Sequence, residues 1–566
     1  METGELNLRW GRAVVAKLIE LGVRDAVVCP GSRSTPLAFA FAESEVLHAV
    51  PVLDERTAGF FALGQAKATG LPVAMVCTSG SAVANLFPAV VEAKMAGVQL
   101  LVLTADRPPE LQGCHAGQTI DQEQVFGDYA GHFEQMPVPS EGELESVGDL
   151  VESAFNHSFC KAAPAHLNIP FREPLLPIAD DFPPLKEEEP EDFQQLSLAH
   201  DPETYDPPKA DCPYSRVLVI AGPGGPGFQS GFDSLLEFAS QRGWPVLADP
   251  LSNLRNTASQ VIAHYDTVLR DEQAANVLRP EAVLQAGALP TSKVLRQRLA
   301  EWDCPGWMVS PLGENFDPLR SKREMLQVFL PALGDSFPSP ANADSGYLDA
   351  WQRADTAISK KFHEAFSACE TTFEAKVTRI LAQHMPEGAH LHIASSMPIR
   401  DVEWFWPKSS TEHTLTGNRG TNGIDGTLPT ALGIAQHVED AYLLTGDLAF
   451  LHSSDGLSLA GNKYFTGKLT VLLINNDGGG IFENLPIAKH NPPFEDFFAT
   501  PQQVDFEQLA AAHGVAYRKI KDLADLPNHI ENPTNHAIRI LEIPTDRKAD
   551  KAMRQKFHNI LSEIPE

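Results

Sequence analysis

Basic residues are scarce in this 566-residue chain: 44 Lys and Arg stand against 74 Asp and Glu, a net charge of −30. A surface of that sign repels phosphodiester backbones and anionic headgroups, which excludes nucleic acid or an acidic membrane as the main partner. Anionic substrates would depend on a local cluster of cations. Cysteines are few. The seven are scattered, odd in number and never paired as CxxC, which speaks against a disulfide framework or a zinc site and for a reducing compartment. No 18 apolar residues run together, and the opening "METGELNLRWGRAVVAKLIELGV" begins with acidic residues and continues as an amphipathic helix, unlike a signal peptide. A cytoplasmic protein is expected, and no short-period repeat is visible.

What the sequence does contain is short apolar strands alternating with helical patterns. "DAVVCPGS", "PVAMVCTSGS" and "VQLLVLTADRP" come first, then "RVLVIAGPGG" and "PVLADP", then "AHLHIASS", "AYLLTGD" and "LTVLLINND". That alternation is the α/β signature of mainly parallel sheets flanked by helices. Two stretches rich in proline and acid, near 177–214 and 331–346, read as connectors. The expected organisation is a first domain over 1–185, a linker 186–214, a central Rossmann-like domain 215–335, a linker 336–350 and a third domain 351–566.

The chemistry concentrates where strands end. "AYLLTGD" delivers Asp447 and "LTVLLINND" delivers Asn476, each at a carboxyl end, where open α/β sheets place ligands. Between them "SSDGLSLAGNKYF" has serines suited to an N-cap and a helical apolar spacing at Leu457, Leu459 and Ala460, giving one βαβ unit. If the two strands lie close together, a carboxylate, an amide oxygen and the carbonyl of Gly478 converge. Hard oxygen donors without thiol or imidazole suit Mg²⁺, with Mn²⁺ as an alternative, and glycines admit a diphosphate close to the backbone. Either piece alone is ordinary turn chemistry.

Gly446-Asp447 followed by Asn475-Asn476 resembles the GDG–x–NN motif of thiamine diphosphate-dependent enzymes, with Leu448 in place of the third glycine. The family's fold, three α/β domains, fits the strand pattern. The resemblance implies thiamine diphosphate and a divalent metal held by Asp447, Asn476 and Gly478, with Gly446, Leu448, Ile481 and Phe482 along the cofactor. It also implies a glutamate that promotes the imino form of the aminopyrimidine. Glu55, in "HAVPVLDERTAGFFALGQ", lies where the family places it, although Asp54 and Glu55 equally suit a helix N-terminus. Ile424 matches the apolar wedge that bends the cofactor. Because the family draws the glutamate and the metal motif from different subunits, a homodimer or a dimer of dimers is implied, with active sites at the subunit interface.

"CPGSRSTPLAFA" (29–40), "LTADRPPEL" (103–111), "GQTIDQ" (117–122), "SSMPIRD" (395–401) and "GNRGTNGIDG" (417–426) narrow the resemblance. They are similar to the branch that decarboxylates 2-oxoglutarate and adds the succinyl unit to isochorismate in menaquinone or phylloquinone biosynthesis. Both substrates are dicarboxylates, for which the guanidinium fork is suited. By resemblance Ser32, Arg33, Arg107 and Lys293 face isochorismate, Ser396, Arg400 and Arg419 hold the succinyl carboxylate, and Gln118 meets the reacting adduct; Glu55, Gln118 and Arg400 are the catalytic candidates. Gly117, Ser395 and Val294 depart from the family's usual Asn, Asn and Arg.

Other functions compete. Gly222-x-Gly224-x-x-Gly227 after a strand, with Asp249 22 residues on, has the form of a dinucleotide fingerprint and would mark an oxidoreductase, although Pro223 and Pro226 stiffen the loop. A carboligase of the acetolactate synthase kind would share Glu55, Asp447 and Asn476 without this arginine set. A cofactor-binding regulator would have no use for Glu55.

Overall fold

In the computed structural model the described residues are 2–177, 206–225, 227–228, 231–256, 260–338, 344–491 and 493–559. Residues 186–205 of the first expected linker, 339–343 of the second, and Pro226 lie outside them. The helix Ser345–Ser367 begins inside the stretch expected to be the second linker, where the Asp344 side chain accepts from the Gly346 N–H at 3.0 Å. Among the described residues no helix is long and apolar enough to cross a membrane.

Three six-stranded sheets form, and every recorded strand pairing is parallel. In the first sheet the strands, numbered in chain order as Asp25–Val28, His48–Pro51, Val73–Cys77, Leu100–Asp106, His132–Gln135 and Ala165–Pro170, lie 2-1-3-4-6-5. Its central strands Val73–Cys77 and Leu100–Asp106 are buried along their whole length, which is why they read as unbroken apolar runs. Trp10, Val14 and Leu18 of the helix Thr3–Glu20 and Phe155 of the helix Ser146–Lys161 close one core against it. The central sheet has the order 6-5-4-1-2-3, that of dinucleotide-binding folds. The third sheet, with strands His390–Ile393, Thr414–Gly417, Ala441–Gly446, Leu469–Asn475, Ala516–Lys519 and Ile538–Pro544 in chain order, repeats 2-1-3-4-6-5, and its first and third strands stand at the point of reversal.

The backbone gathers into two compact units. One holds Met1–Leu198, Arg419–Glu439 and Ser453–Lys468, and the other holds Ala199–Asn418, Asp440–His452 and Leu469–Glu566. The sequence reading did not anticipate that 419–439 and 453–468 would leave the third segment. Within the first unit the helix Thr427–Ala435 packs on the helix Glu55–Thr69. A β-carbon on Gly64 would lie 2.0 Å from the Thr430 carbonyl oxygen, and one on Gly433 2.0 Å from that of Phe61. The expected helix after Asp447 also differs: an α-helix runs over Asp447–His452 and a 3-10 helix over Ser454–Gly461. Small residues and the turn at Ser453 favour the tighter winding.

Candidate active site

The second unit holds the two strand exits singled out in the sequence. Ala441–Gly446 and Leu469–Asn475 are adjacent and parallel, with Gly446 opposite Ile474. One Asp447 carboxylate oxygen accepts from the Leu448 N–H at 2.7 Å, and the other from the Gly478 N–H at 2.8 Å. Burial pushes the Asp447 carboxyl up to about 6, against the pull of those two backbone donors. Asn476 is 6% exposed, and its Oδ1 is buried without a hydrogen-bond partner. Gly478 has φ +128°, and a β-carbon there would fall 2.3 Å from the Ala499 carbonyl oxygen, so only glycine lets this loop close.

An orphaned amide oxygen beside a buried carboxylate held only by backbone N–H groups is a donor pair that a hard divalent metal would satisfy. The donor set fits Mg²⁺ or Mn²⁺. A cavity of about 220 Å³ lies beside Asp447, lined also by Leu448, Asn475, Asp477 and Phe506. Ile481 and Phe482 lie half-buried in the 3-10 turn Gly480–Asn484, the Phe482 ring edge-on to Phe498 at 5.8 Å. Ser396 follows the strand His390–Ile393 with φ +78°, a strained value for a non-glycine residue, and its carbonyl accepts from Arg400 Nη1. Lys293 opens the helix Lys293–Trp302 and is exposed.

The first unit holds a second group. Arg107, at the exit of the strand Leu100–Asp106, donates from Nη1 to Ser79 Oγ at 2.6 Å and from Nη2 to the Gly117 carbonyl at 3.0 Å. Ser79 Oγ donates to the Gln118 carbonyl at 3.0 Å, and Gln118 Nε2 donates back to the Ser79 carbonyl at 3.1 Å. Gln118 has φ +57°, another strained residue at the site. Burial and the neighbouring Arg33 lower the Arg107 pKa, so two guanidinium groups stand near one another within a chain of net charge −30. Arg33 is 5% exposed, donates to the Phe171 carbonyl at 2.9 Å and pairs with Glu173 at 2.9 Å. Ser32 is exposed, its carbonyl accepting from Thr35. A cavity of about 660 Å³ opens beside Arg107, lined also by Asp106, Gln112, His115 and Gln135.

Glu55 and Asp54 separate their tasks. Asp54 caps the helix by accepting from the Thr57 N–H at 2.9 Å, while Glu55 Oε2 accepts from Asn85 Nδ2 at 3.1 Å. Asp54 thus takes the helix-end role that the sequence allowed to either residue. In the same unit Glu92 accepts from the Gly420 and Thr421 N–H groups at 2.9 and 2.7 Å, which fixes the loop carrying Arg419 and Ile424.

Residues 8–125 match the family model "Thiamine pyrophosphate enzyme, N-terminal TPP binding domain", 216–393 match "Middle domain of thiamine pyrophosphate", and 401–540 match "Thiamine pyrophosphate enzyme, C-terminal TPP binding domain". A 2-succinyl-5-enolpyruvyl-6-hydroxy-3-cyclohexene-1-carboxylate synthase of Synechococcus elongatus (strain ATCC 33912 / PCC 7942 / FACHB-805) is 43% identical over 99% of this chain and 97% of its own. Proteins of the same name from Synechococcus sp. (strain JA-3-3Ab) and Thermosynechococcus vestitus are 42% and 43% identical, over 99% and 98% of this chain and 97% and 98% of their own. The chain belongs to this synthase family of thiamine diphosphate enzymes.

Membership bears on the dinucleotide-like glycines. A β-carbon on Gly222 would lie 1.6 Å from the Ala288 carbonyl oxygen and one on Gly227 2.8 Å from Pro311, while one on Gly224 would make only ordinary contact, 3.5 Å from the Phe228 β-carbon. Gly222 and Gly227 thus admit the protein's own loops where a pyrophosphate would need space. Asp249 is 1% exposed and caps the turn Pro250–Ser252 by accepting from the Leu251 N–H at 2.8 Å. Three residues that hold candidate residues, or the loop carrying them, in place escaped the sequence reading. Ser79, which ties Arg107 to Gln118, stands in "CTSGS" after a buried strand, the same kind of exit that exposed Asp447. Asn85 and Glu92 lie inside helical patterns and carry no such signal.

Proposed function

We propose that this enzyme decarboxylates 2-oxoglutarate with thiamine diphosphate and adds the succinyl carbanion equivalent to isochorismate in a 1,4-addition. The product is 2-succinyl-5-enolpyruvyl-6-hydroxy-3-cyclohexene-1-carboxylate, on the route to menaquinone or phylloquinone. The observation that carries this reading is the identity of 42–43% to synthases of that name over nearly the whole chain, with the metal motif and the arginine motifs present together.

Thiamine diphosphate supplies the electron sink for decarboxylation and the nucleophilic carbon for addition. Asp447, Asn476 Oδ1 and the Gly478 carbonyl would hold Mg²⁺ or Mn²⁺, a counter-charge for the cofactor's diphosphate; Gly446, Leu448, Ile481 and Phe482 would line the cofactor, with Ile424 as its apolar wedge. Glu55 holds and exchanges a proton on its carboxyl group, which Asn85 orients by donating to Oε2. In the first unit Ser32, Arg33 and Arg107 receive the carboxylates of isochorismate, and Gln118 is aimed by its paired hydrogen bonds with Ser79. Lys293 serves isochorismate; Ser396, Arg400 and Arg419 hold the succinyl carboxylate. The enzyme works as a homodimer or a dimer of dimers, each active centre drawing on two subunits.

The test is CO₂ release and isochorismate consumption with thiamine diphosphate, Mg²⁺ and 2-oxoglutarate, each omitted in turn. Isochorismate should disappear only when all are present, and Glu55→Gln should bind cofactor yet lose turnover by a hundredfold or more. Consumption of pyruvate in place of 2-oxoglutarate would refute the substrate assignment, and full turnover of Glu55→Gln the role of that residue.

A further inference from the structure

Asn476 ends in an amide with one accepting and one donating side, and only the accepting side can ligate a cation. Which side faces the metal loop is therefore a question of what touches the other. Asn476 Nδ2 donates to Glu374 Oε1 at 2.5 Å, across 102 positions of sequence. A carboxylate can only accept, so chemistry requires the NH₂ to point at Glu374 and leaves Oδ1, buried and unpartnered, turned away from it.

Glu374 is itself fixed. It is 4% exposed at the start of the helix Glu374–His384. Oε1 also accepts from Thr545 Oγ1 at 3.3 Å, Oε2 accepts from Arg554 Nη2, and its N–H donates to Asp550 Oδ1 at 3.1 Å. Arg554, 4% exposed, is held in turn by two contacts of 2.6 Å to Asp401. From the same C-terminal helix, Arg547–Asn559, Arg547 Nη1 donates to the Asp477 carbonyl at 2.6 Å. A β-carbon on Gly480 would lie 2.9 Å from Asn476 Nδ2, so the amide is walled on that side as well.

We propose that Glu374, anchored by Arg554, is the positioning residue that orients Asn476, so that its carbonyl oxygen and not its NH₂ faces the divalent cation. The inference rests on the reading of Asp447, Asn476 and Gly478 as the metal site. It assigns the C-terminal helix, through Arg554, a part in cofactor binding far from the motif. Asn475, the other asparagine of the pair, is oriented in the same way by a different carboxylate, its Nδ2 donating to Glu542 Oε1 at 3.0 Å.

Glu374→Gln tests this without changing shape. The guanidinium of Arg554 claims the new amide's oxygen, which turns its NH₂ toward Asn476 and forces that amide to present NH₂ to the metal. Asn476→Asp alone sets two carboxylates against each other. The pair Glu374→Gln with Asn476→Asp restores a donor facing an acceptor and leaves a free carboxylate oxygen for the cation.

The readout is Mn²⁺ binding to the full-length enzyme with thiamine diphosphate, followed by electron paramagnetic resonance of the free ion. Each single variant should bind Mn²⁺ about 10- to 100-fold more weakly, the range for groups that orient metal ligands. The double variant should return to within a few-fold of the parent. Should Glu374→Gln fail to fold, the double variant compared with Asn476→Asp carries the test alone, because a merely structural role gives no reciprocal rescue. Parent-like affinity in a folded Glu374→Gln, or no recovery in the double variant, overturns the proposal. Absence of Mn²⁺ binding by the parent overturns the metal site along with it.

Discussion

Gly64→Ala sets two effects of opposite sign against each other. In an isolated helix the exchange is favourable by about 1 kcal/mol, because alanine loses less backbone entropy. In this protein the new methyl would lie 2.0 Å from the Thr430 carbonyl oxygen and 3.0 Å from the Gly433 α-carbon. The obstacle is backbone on both sides, so no rotamer change relieves it, and the helices Glu55–Thr69 and Thr427–Ala435 must part by about 1.5 Å to recover van der Waals contact. Overpacking of this kind costs about 3 kcal/mol, the upper end of the range, where rigid groups collide. The net is a loss of about 2 kcal/mol. Glu55 opens one helix, and the loop with Arg419 and Ile424 leads into the other, so turnover should fall by roughly 100-fold, as for a 1 Å displacement of reacting groups. Urea unfolding with hydrogen exchange over 55–69 and 427–435 would measure the loss. A higher urea midpoint, or unchanged protection of both helices, would show that propensity outweighs packing and refute the close approach.

Arg107→Lys keeps the charge but loses the fork that reaches both Ser79 Oγ and the Gly117 carbonyl. The KM for isochorismate should rise tenfold or more with little change in CO₂ release; a loss confined to CO₂ release would place Arg107 with 2-oxoglutarate instead. Ser79→Ala should have a smaller effect of the same kind, and adding it to Arg107→Lys should cost less than its effect alone. His166, buried with Nε2 2.7 Å from Thr104 Oγ1, has its pKa lowered by burial to about 3. The folded state therefore keeps this imidazole neutral while the unfolded chain protonates it below about 6.5, so stability is full above that pH and falls as the pH drops toward 3. At pH 4.5 the deficit should be about 2 to 3 kcal/mol for this residue. His166→Gln should flatten the urea midpoint between pH 7 and 4.5, and an unchanged slope would sink the assignment.

The fold was legible because its central strands are short apolar runs buried on both faces, a pattern that does not depend on distant partners, whereas edge strands such as His132–Gln135 carry no such run. The strand exits were legible for a similar reason: Gly446, Asp447, Asn476 and Gly478 break an apolar run with residues that a core strand would not choose. Segments 419–439 and 453–468 were not, because packing and not local pattern assigns them to the first unit. Their evidence is Gly433 facing Gly64, and a glycine in one helix gives no sign of the glycine opposite. Glu374 was invisible for the same reason. It begins an ordinary amphipathic helix, and only its contact with Asn476 across 102 positions distinguishes it from the acidic residues that start many helices.

The first and third sheets share the order 2-1-3-4-6-5 and are used differently. In both, the backbone after strand 1 and strand 3 turns outward at the carboxyl end, the position at which a parallel sheet leaves room for a ligand. In the third sheet those exits carry Ser396 and Asp447, with Asn476 after the neighbouring strand 4. In the first they carry Arg33 and Ser79, with Arg107 after strand 4. Carboxylate and amide oxygens stand at one set of exits, guanidinium groups and a hydroxyl at the other. The identical strand order therefore fixes where chemistry can occur, and the side chains at the exits decide its sign: under the proposed function, one sheet would hold a cation and the other an anion. That division answers the charge problem of the whole chain. A protein of net charge −30 can bind dicarboxylates if its few cations are placed where the fold itself opens, and Arg33 and Arg107 stand at two such exits.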